Sequence, residues 1–178
     1  MTPFINGETI YLRALGSGDV NSTYLSWLND VETTKGLLAG RYPSTLQQLD
    51  DYVQRATSDP GTVMFAICSR KDNTHIGNIK LDHFDAVDGT CELGLLLGNK
   101  DYWGKGIGEE VCRLTLQYAF NTLNIRKVLL AVYSNNPAAI RLYEKLGFVH
   151  EGKLRQHLFC QGEYIDKLYM GLFKNELV

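Results

Sequence analysis

Apolar positions recur at two distinct periods along the chain, every second residue in some stretches and every third or fourth in others. Ile10, Leu12 and Ala14 alternate with polar neighbours and predict a first strand over 9–15. The same reading predicts strands over 62–69 and 75–83, joined by a Lys71-Asp72-Asn73 turn. A turn over 85–89 leads to a strand over 91–97, and further strands are expected over 127–133, 148–155 and 164–173. Helical spacing covers 19–28, with Asp19 as N-cap, and 44–56, where Ser44 and Gln47 have capping-box spacing. Leu46, Leu49 and Val53 form the apolar stripe of that second helix. A third helix over 106–121 carries two stripes, Ile107/Val111/Leu114/Tyr118 and Cys112/Leu116/Phe120/Leu123. A helix apolar on two sides lies centrally in a fold. The last helix has Asn136 as cap, Pro137 at its first position and Gly147 as its stop. Six to seven strands and about four helices, in this order, predict an α+β fold around a mixed central sheet.

At 178 residues, without repeats or a Pro/Ser-rich linker, the chain is expected to be one domain spanning 1–178. Hydrophobic residues make up 44% and charged residues 21%, which places it among globular proteins. A formal net charge of −2 offers no electrostatic footprint for nucleic acid or an anionic membrane. No apolar run approaches the roughly 20 residues of a membrane span. The start, Met-Thr-Pro-Phe-Ile-Asn-Gly-Glu, lacks the regions of a signal peptide, so the cytoplasm is the expected compartment. Cys68, Cys91, Cys112 and Cys160 are spread out with no C-x-x-C pair, which predicts reduced thiols and no metal. None of the four stands beside a His–carboxylate arrangement, so a covalent acyl-cysteine is not expected.

The candidate chemistry begins at Tyr102-Trp103-Gly104-Lys105-Gly106-Ile107-Gly108, where an apolar strand gives way to the two-sided helix. Closely spaced glycines let the backbone approach a ligand, and the first-turn amides of a helix suit a phosphate or pyrophosphate. A dinucleotide fingerprint is excluded because Glu109 stands where its third glycine belongs, and no Walker run exists. A second block, Asn136-Pro137-Ala138-Ala139-Ile140-Arg141-Leu142-Tyr143-Glu144-Lys145-Leu146-Gly147-Phe148, follows the strand over 127–133.

Together the two blocks resemble the GNAT superfamily of acetyl-CoA-dependent N-acetyltransferases, and the resemblance runs from Thr9 to Asp166. Trp103 stands where many members carry Arg or Gln, a variant found in the branch that includes ribosomal-protein acetyltransferases. The resemblance implies a fold whose fourth and fifth strands, here 91–97 and 127–133, splay apart to admit the coenzyme. It implies acetyl-CoA as cosubstrate, with its pyrophosphate on the amides of Trp103, Gly104, Lys105, Gly106 and Gly108. Leu95, Leu97 and Asn136 are then expected to align the pantetheine, and one amide of the strand end to polarise the carbonyl. Tyr143 is expected as the acid that protonates the thiolate, and Glu92 as the base, directly or through water. Asp82, His83 and Asp85 are secondary candidates on the acceptor side, and the helix end at Trp27 to Asp30 is a candidate wall. The expected partner is a small-molecule amine, with a homodimer to allow for. The strand from Ile76 to Leu81 and the Tyr164-Ile165-Asp166 ending resemble members that modify nucleotide-linked amino sugars. Polyamines and ribosomal-protein N-termini are the alternative acceptors, and a non-catalytic coenzyme A-binding module is the alternative of another class.

Overall fold

The computed structural model describes residues 2–37 and 39–178. Eight strands form one sheet: β1 (Ile5–Asn6), β2 (Ile10–Ala14), β3 (Val63–Ser69), β4 (His75–Asp85), β5 (Thr90–Leu97), β6 (Lys127–Tyr133), β7 (Val149–Cys160) and β8 (Glu163–Phe173). Their spatial order is β1-β2-β3-β4-β5-β6-β8-β7. Every neighbouring pair is antiparallel except β5–β6, which is parallel and joined through the helix α4 (Ile107–Asn121). A parallel pair requires such a crossover, since a tight turn only reverses the chain.

The sheet is covered on both faces. α4 lies in the larger core, where Val111, Cys112 and Leu116 are sealed among Ile67, Ile79, Leu81, Val128 and Leu130. Each such aliphatic side chain contributes roughly 1.5–3 kcal/mol by leaving water. The two apolar stripes expected of this helix coincide with that central place. The opposite face is covered by α1 (Ser22–Leu28) and α3 (Leu46–Ser58), through Tyr24, Trp27, Leu49 and Val53. Two further helices are α2 (Val31–Thr34) and α5 (Pro137–Leu146). Cys68, Cys91 and Cys112 are buried free thiols, and Cys160 is a partly exposed one. No helix among the described residues is long and apolar enough to cross a membrane.

Several local expectations shift. β1 and α2 are additional, because two- and four-residue elements are too short to show a period. The cap of α1 is Asn21, whose side chain accepts from the Tyr24 N–H; Asp19 is spent elsewhere. It lies buried in a bidentate pair with Arg13, at 2.6 and 2.8 Å, and also accepts from the Gly16 N–H. The capping box of α3 falls one residue later than expected, at Thr45 and Gln48, because Ser44 is held by its backbone to the Asn29 side chain. Leu46 accordingly stands 46% exposed, outside the apolar stripe. β7 starts at Val149 and continues to Cys160, with a pairing irregularity between Leu154 and Leu158 where Gln156 has φ +50°.

Candidate active site

Pairing between β5 and β6 runs Thr90↔Lys127, Cys91↔Val128 and Glu92↔Leu129, then stops, while β5 continues to Leu97. Beyond Glu92 the strands diverge around a cavity of about 460 Å³. Its walls are Leu93 to Leu97, Trp103, Ala131, Val132, Tyr143 and the segment from Asn135 to Ala139; Glu32 to Leu37 contribute the far side, Thr34 excepted. The splay leaves one edge of β5 without a strand partner, a row of groups that an extended ligand can pair with.

Two side chains hold this geometry. The Trp103 indole N–H donates to the Leu97 carbonyl at 2.8 Å, tying the glycine loop to the end of β5. N–H and C=O of one strand residue point to the same side, so this contact identifies Leu97, and Leu95 two residues earlier, as facing the open edge. At Gly98 the Trp27 ring lies where a side chain would start, 2.0 Å from an ideal Cβ, so only glycine admits it there. Trp27 is therefore a packing residue, buried against Gly98 and edge-on to the His75 ring at 5.1 Å. Its neighbour Leu28 does line a cavity, described below.

The glycine loop is open on its outer side. Gly104 and Gly106 have φ of +69° and +78°, a left-handed backbone that favours glycine, and a Cβ at either would meet nothing within 4 Å. Gly106 is the N-cap of α4 and offers no side-chain cap, so the first amides of that helix carry no internal partner. Lys105 lies with its ammonium 5.9 Å from the Tyr102 ring, while Lys100 bridges Asp30 and Glu32 at 2.8 and 2.6 Å. The loop thus presents free amides at a helix N-terminus, the arrangement that suits an anion.

Asn136 caps α5 by accepting from the Ala139 N–H at 3.1 Å, with Pro137 at the first helical position. Tyr143, further along α5, is only 8% exposed and packs edge-on against Phe148 at 5.7 Å. Burial pushes its phenol well above the ordinary tyrosine value, with the neighbouring Cys112 adding to the shift. Its hydroxyl has no hydrogen-bond partner among the described residues, and the side chain borders the cavity. Asn135, one residue before the cap, also borders it and has a buried carboxamide oxygen without a partner.

A second cavity, about 440 Å³, lies on the α1/α3 face of the sheet. Gly94, Leu95, Leu96 and Leu37 line both cavities, so the two meet at the backbone of β5. Asn78, Lys80, Tyr52, Gln48 and Met64 complete much of its wall. Glu92 shares a strand face with Gly94 but is not part of either lining; it is half-buried and opposite Asp82 on β4. Asp82, His83 and Glu92 bring their side-chain donor atoms within 4.8 Å of one another. Asp82 is also bonded to the Lys80 ammonium. Asp85, by contrast, is used in a turn, accepting from the Val87 and Asp88 N–H groups at 2.8 and 2.9 Å. Asn78, Lys80, Asn135 and Leu37 are site residues that no motif pointed to; strand alternation could have placed Asn78 and Lys80 on the Glu92-facing side.

Known proteins are similar to this chain in sequence and in fold. A family model, Acetyltransferase (GNAT) domain, matches residues 9–149. An N-acetyltransferase of Bacillus subtilis derived from the SPbeta prophage is 31% identical over 96% of this chain and 93% of its own length. The spermidine N(1)-acetyltransferase of Vibrio cholerae is 26% identical, covering 93% of each chain. A crystal structure of the V. cholerae spermidine N-acetyltransferase in complex with CoA and spermine superposes with a TM-score of 0.86, at 26% identity over 94% of this chain and 97% of that one.

Proposed function

Since the chain belongs to the GNAT acetyltransferase family and is an N-acetyltransferase, we propose that it moves an acetyl group from acetyl-CoA directly to a primary amine held in the second cavity. The observation that carries this reading is the meeting of two cavities at Gly94 to Leu96. Two ligands held one in each would face each other across a single strand, which supplies the proximity that direct transfer needs.

The residues fit the cosubstrate. Left-handed glycines with open space beside them, unbonded helix-terminal amides and an unpaired strand edge are the groups such a cosubstrate would use. The amides from Trp103 to Gly108 would take the pyrophosphate, although the Trp103 N–H is already given to the Lys100 carbonyl at 3.0 Å. Leu95, Leu97 and Asn136 would align the pantetheine arm; because the Leu97 carbonyl is occupied by Trp103, its N–H is the group left to offer. Acetyl-CoA supplies the acetyl group as a thioester.

The amine forms its new N–C bond as the C–S bond breaks. Its surplus proton passes to Glu92 through water, since Glu92 lines neither cavity, and the Tyr143 hydroxyl supplies a proton to the sulfur. Burial keeps the Tyr143 phenol protonated at neutral pH. Its unpartnered hydroxyl leaves that proton free for transfer rather than committed to a neighbour. A spermidine-acetylating relative and a CoA–spermine complex support a polyamine as acceptor, ahead of the nucleotide-linked amino sugar expected from the sequence.

The direct test is release of free coenzyme A thiol on mixing the purified chain, acetyl-CoA and primary amines. Gly106→Ala should raise the Michaelis constant for acetyl-CoA, because a Cβ in the left-handed region costs roughly 1–2 kcal/mol and tilts the loop amides. An unchanged constant in the folded variant removes the glycine loop from the coenzyme site.

A further inference from the structure

Resting on the reading of the glycine loop as the coenzyme site, we infer that Arg141 holds the 3′-phosphate of the coenzyme's ribose and makes the chain selective for coenzyme A over its 3′-dephospho form. Arg141 acts in recognition and touches no reacting atom.

The position of Arg141 follows from its helix. Ala138 and Leu142 of α5 line the coenzyme cavity. Residues three and four apart share a helix face, so Arg141 and Lys145 stand on the same side of α5 as these two. That side meets the first turn of α4. An ideal Cβ at Gly108 would lie 3.3 Å from Leu142 Cδ2, and the Lys145 ammonium reaches the Glu109 carboxylate at 2.6 Å. Arg141 therefore stands at the mouth of the cavity, between Ala138 and the helix terminus that presents the loop amides.

The acids nearby are engaged with other groups. α4 and α5 carry three of them, Glu109, Glu110 and Glu144. Glu109 is shared by Lys145 and Arg113, at 2.6 and 3.0 Å, so this first-turn carboxylate is masked from an incoming anion. Glu110 accepts from the Glu8 and Thr9 N–H groups at 2.6 and 3.0 Å. Glu144, three residues beyond Arg141, is bonded to His150 at 3.0 Å instead. Arg141 itself is exposed and makes no ion pair or side-chain hydrogen bond among the described residues. Lys105, the cation of the glycine loop, lies 5.9 Å from the Tyr102 ring.

The coenzyme's own connectivity says which group meets Arg141. Its pyrophosphate joins the pantetheine arm to the 5′ carbon of the ribose. With the arm running inward along β5, the ribose is left on the outer side of the loop, and its 3′-phosphate lies one sugar ring from the pyrophosphate. A phosphate monoester carries about −1.5 to −2 charges near pH 7 and three acceptor oxygens. The planar guanidinium fork of an arginine can donate to two of them at once.

Calorimetric binding of coenzyme A and of 3′-dephospho-coenzyme A to the purified chain reads this contact without turnover. The wild type should bind coenzyme A more tightly by about tenfold or more, the discrimination that one charge-assisted pair supplies. In Arg141→Gln the ratio should fall toward unity through weaker binding of coenzyme A, with the dephospho form bound as before. Lys105→Gln should weaken both coenzymes by similar factors and keep the ratio, because the loop faces the pyrophosphate that both contain. A wild-type ratio near unity, a ratio that survives Arg141→Gln, or its loss in Lys105→Gln alone overturns the inference and leaves the coenzyme site intact. Failure of the wild type to bind either coenzyme overturns the reading of the glycine loop itself.

Discussion

Replacing Tyr143 by Phe separates catalysis from stability more cleanly than any other change at this site. The side chain is 8% exposed and edge-on to Phe148, so most of its value to the fold lies in the ring, which Phe retains. Its hydroxyl has no partner among the described residues, so no protein hydrogen bond is lost. Stability should therefore change by no more than about 1 kcal/mol, a shift of roughly 2–4 °C in melting temperature for a chain of this size. Truncation to Ala would instead leave a cavity costing about 3–5 kcal/mol. Catalysis should respond on another scale. If the hydroxyl protonates the departing thiolate, its loss should lower turnover by about 10²–10⁴, equivalent to about 2.7–5.4 kcal/mol of transition-state stabilisation. Thiol release under saturating acetyl-CoA and amine gives turnover, and a melting curve of the same preparation gives stability. Coenzyme affinity should be nearly unchanged, since the wall of the cavity keeps its shape. Wild-type turnover under conditions where chemistry limits the rate would refute the acid role. A large loss of stability would refute the account of the hydroxyl as unbonded.

Two further outcomes are expected. Glu92→Gln keeps the strand position opposite Asp82 but removes a base, so activity should fall at neutral pH and partly recover toward pH 9, where more of the amine is already free; a profile superimposable on wild type would leave Glu92 as a strand residue only. Asp19→Asn breaks the buried pair with Arg13 and should cost about 3–5 kcal/mol at neutral pH, read from denaturant unfolding. Burial alone would raise the Asp19 pKa, but the Arg13 and Gly16 hydrogen bonds outweigh it and hold the carboxyl below its ordinary 3.8. A depressed carboxyl stabilises the fold above its unfolded pKa, and that contribution is lost as pH falls through the lower folded value. The gap between wild type and variant should therefore narrow below about pH 4, and a constant gap would contradict the pairing.

Much of the fold was legible in the linear chain because its elements are long and regular enough to carry a period. The two stripes of α4 announce a helix wedged inside the protein, and the Asn136–Pro137 start and Gly147 end of α5 are local backbone chemistry that needs no partner. The glycines at 104 and 106 likewise mark a left-handed turn, whatever surrounds it. What depended on distant residues was not legible. Asp19 reads as a cap by its neighbours, yet Arg13 on β2 claims it, and the cap passes to Asn21. The Ser44 box slips to Thr45 because Asn29 holds Ser44 from across the α1–α3 connection. Only the tertiary structure joins two cavities at Gly94 to Leu96, since that junction depends on β6 leaving β5 after Glu92 and on α1 and α3 crossing the other face. Periodicity records how each segment meets the core, whereas a binding site is made of what the packed segments leave unfilled and unbonded between them.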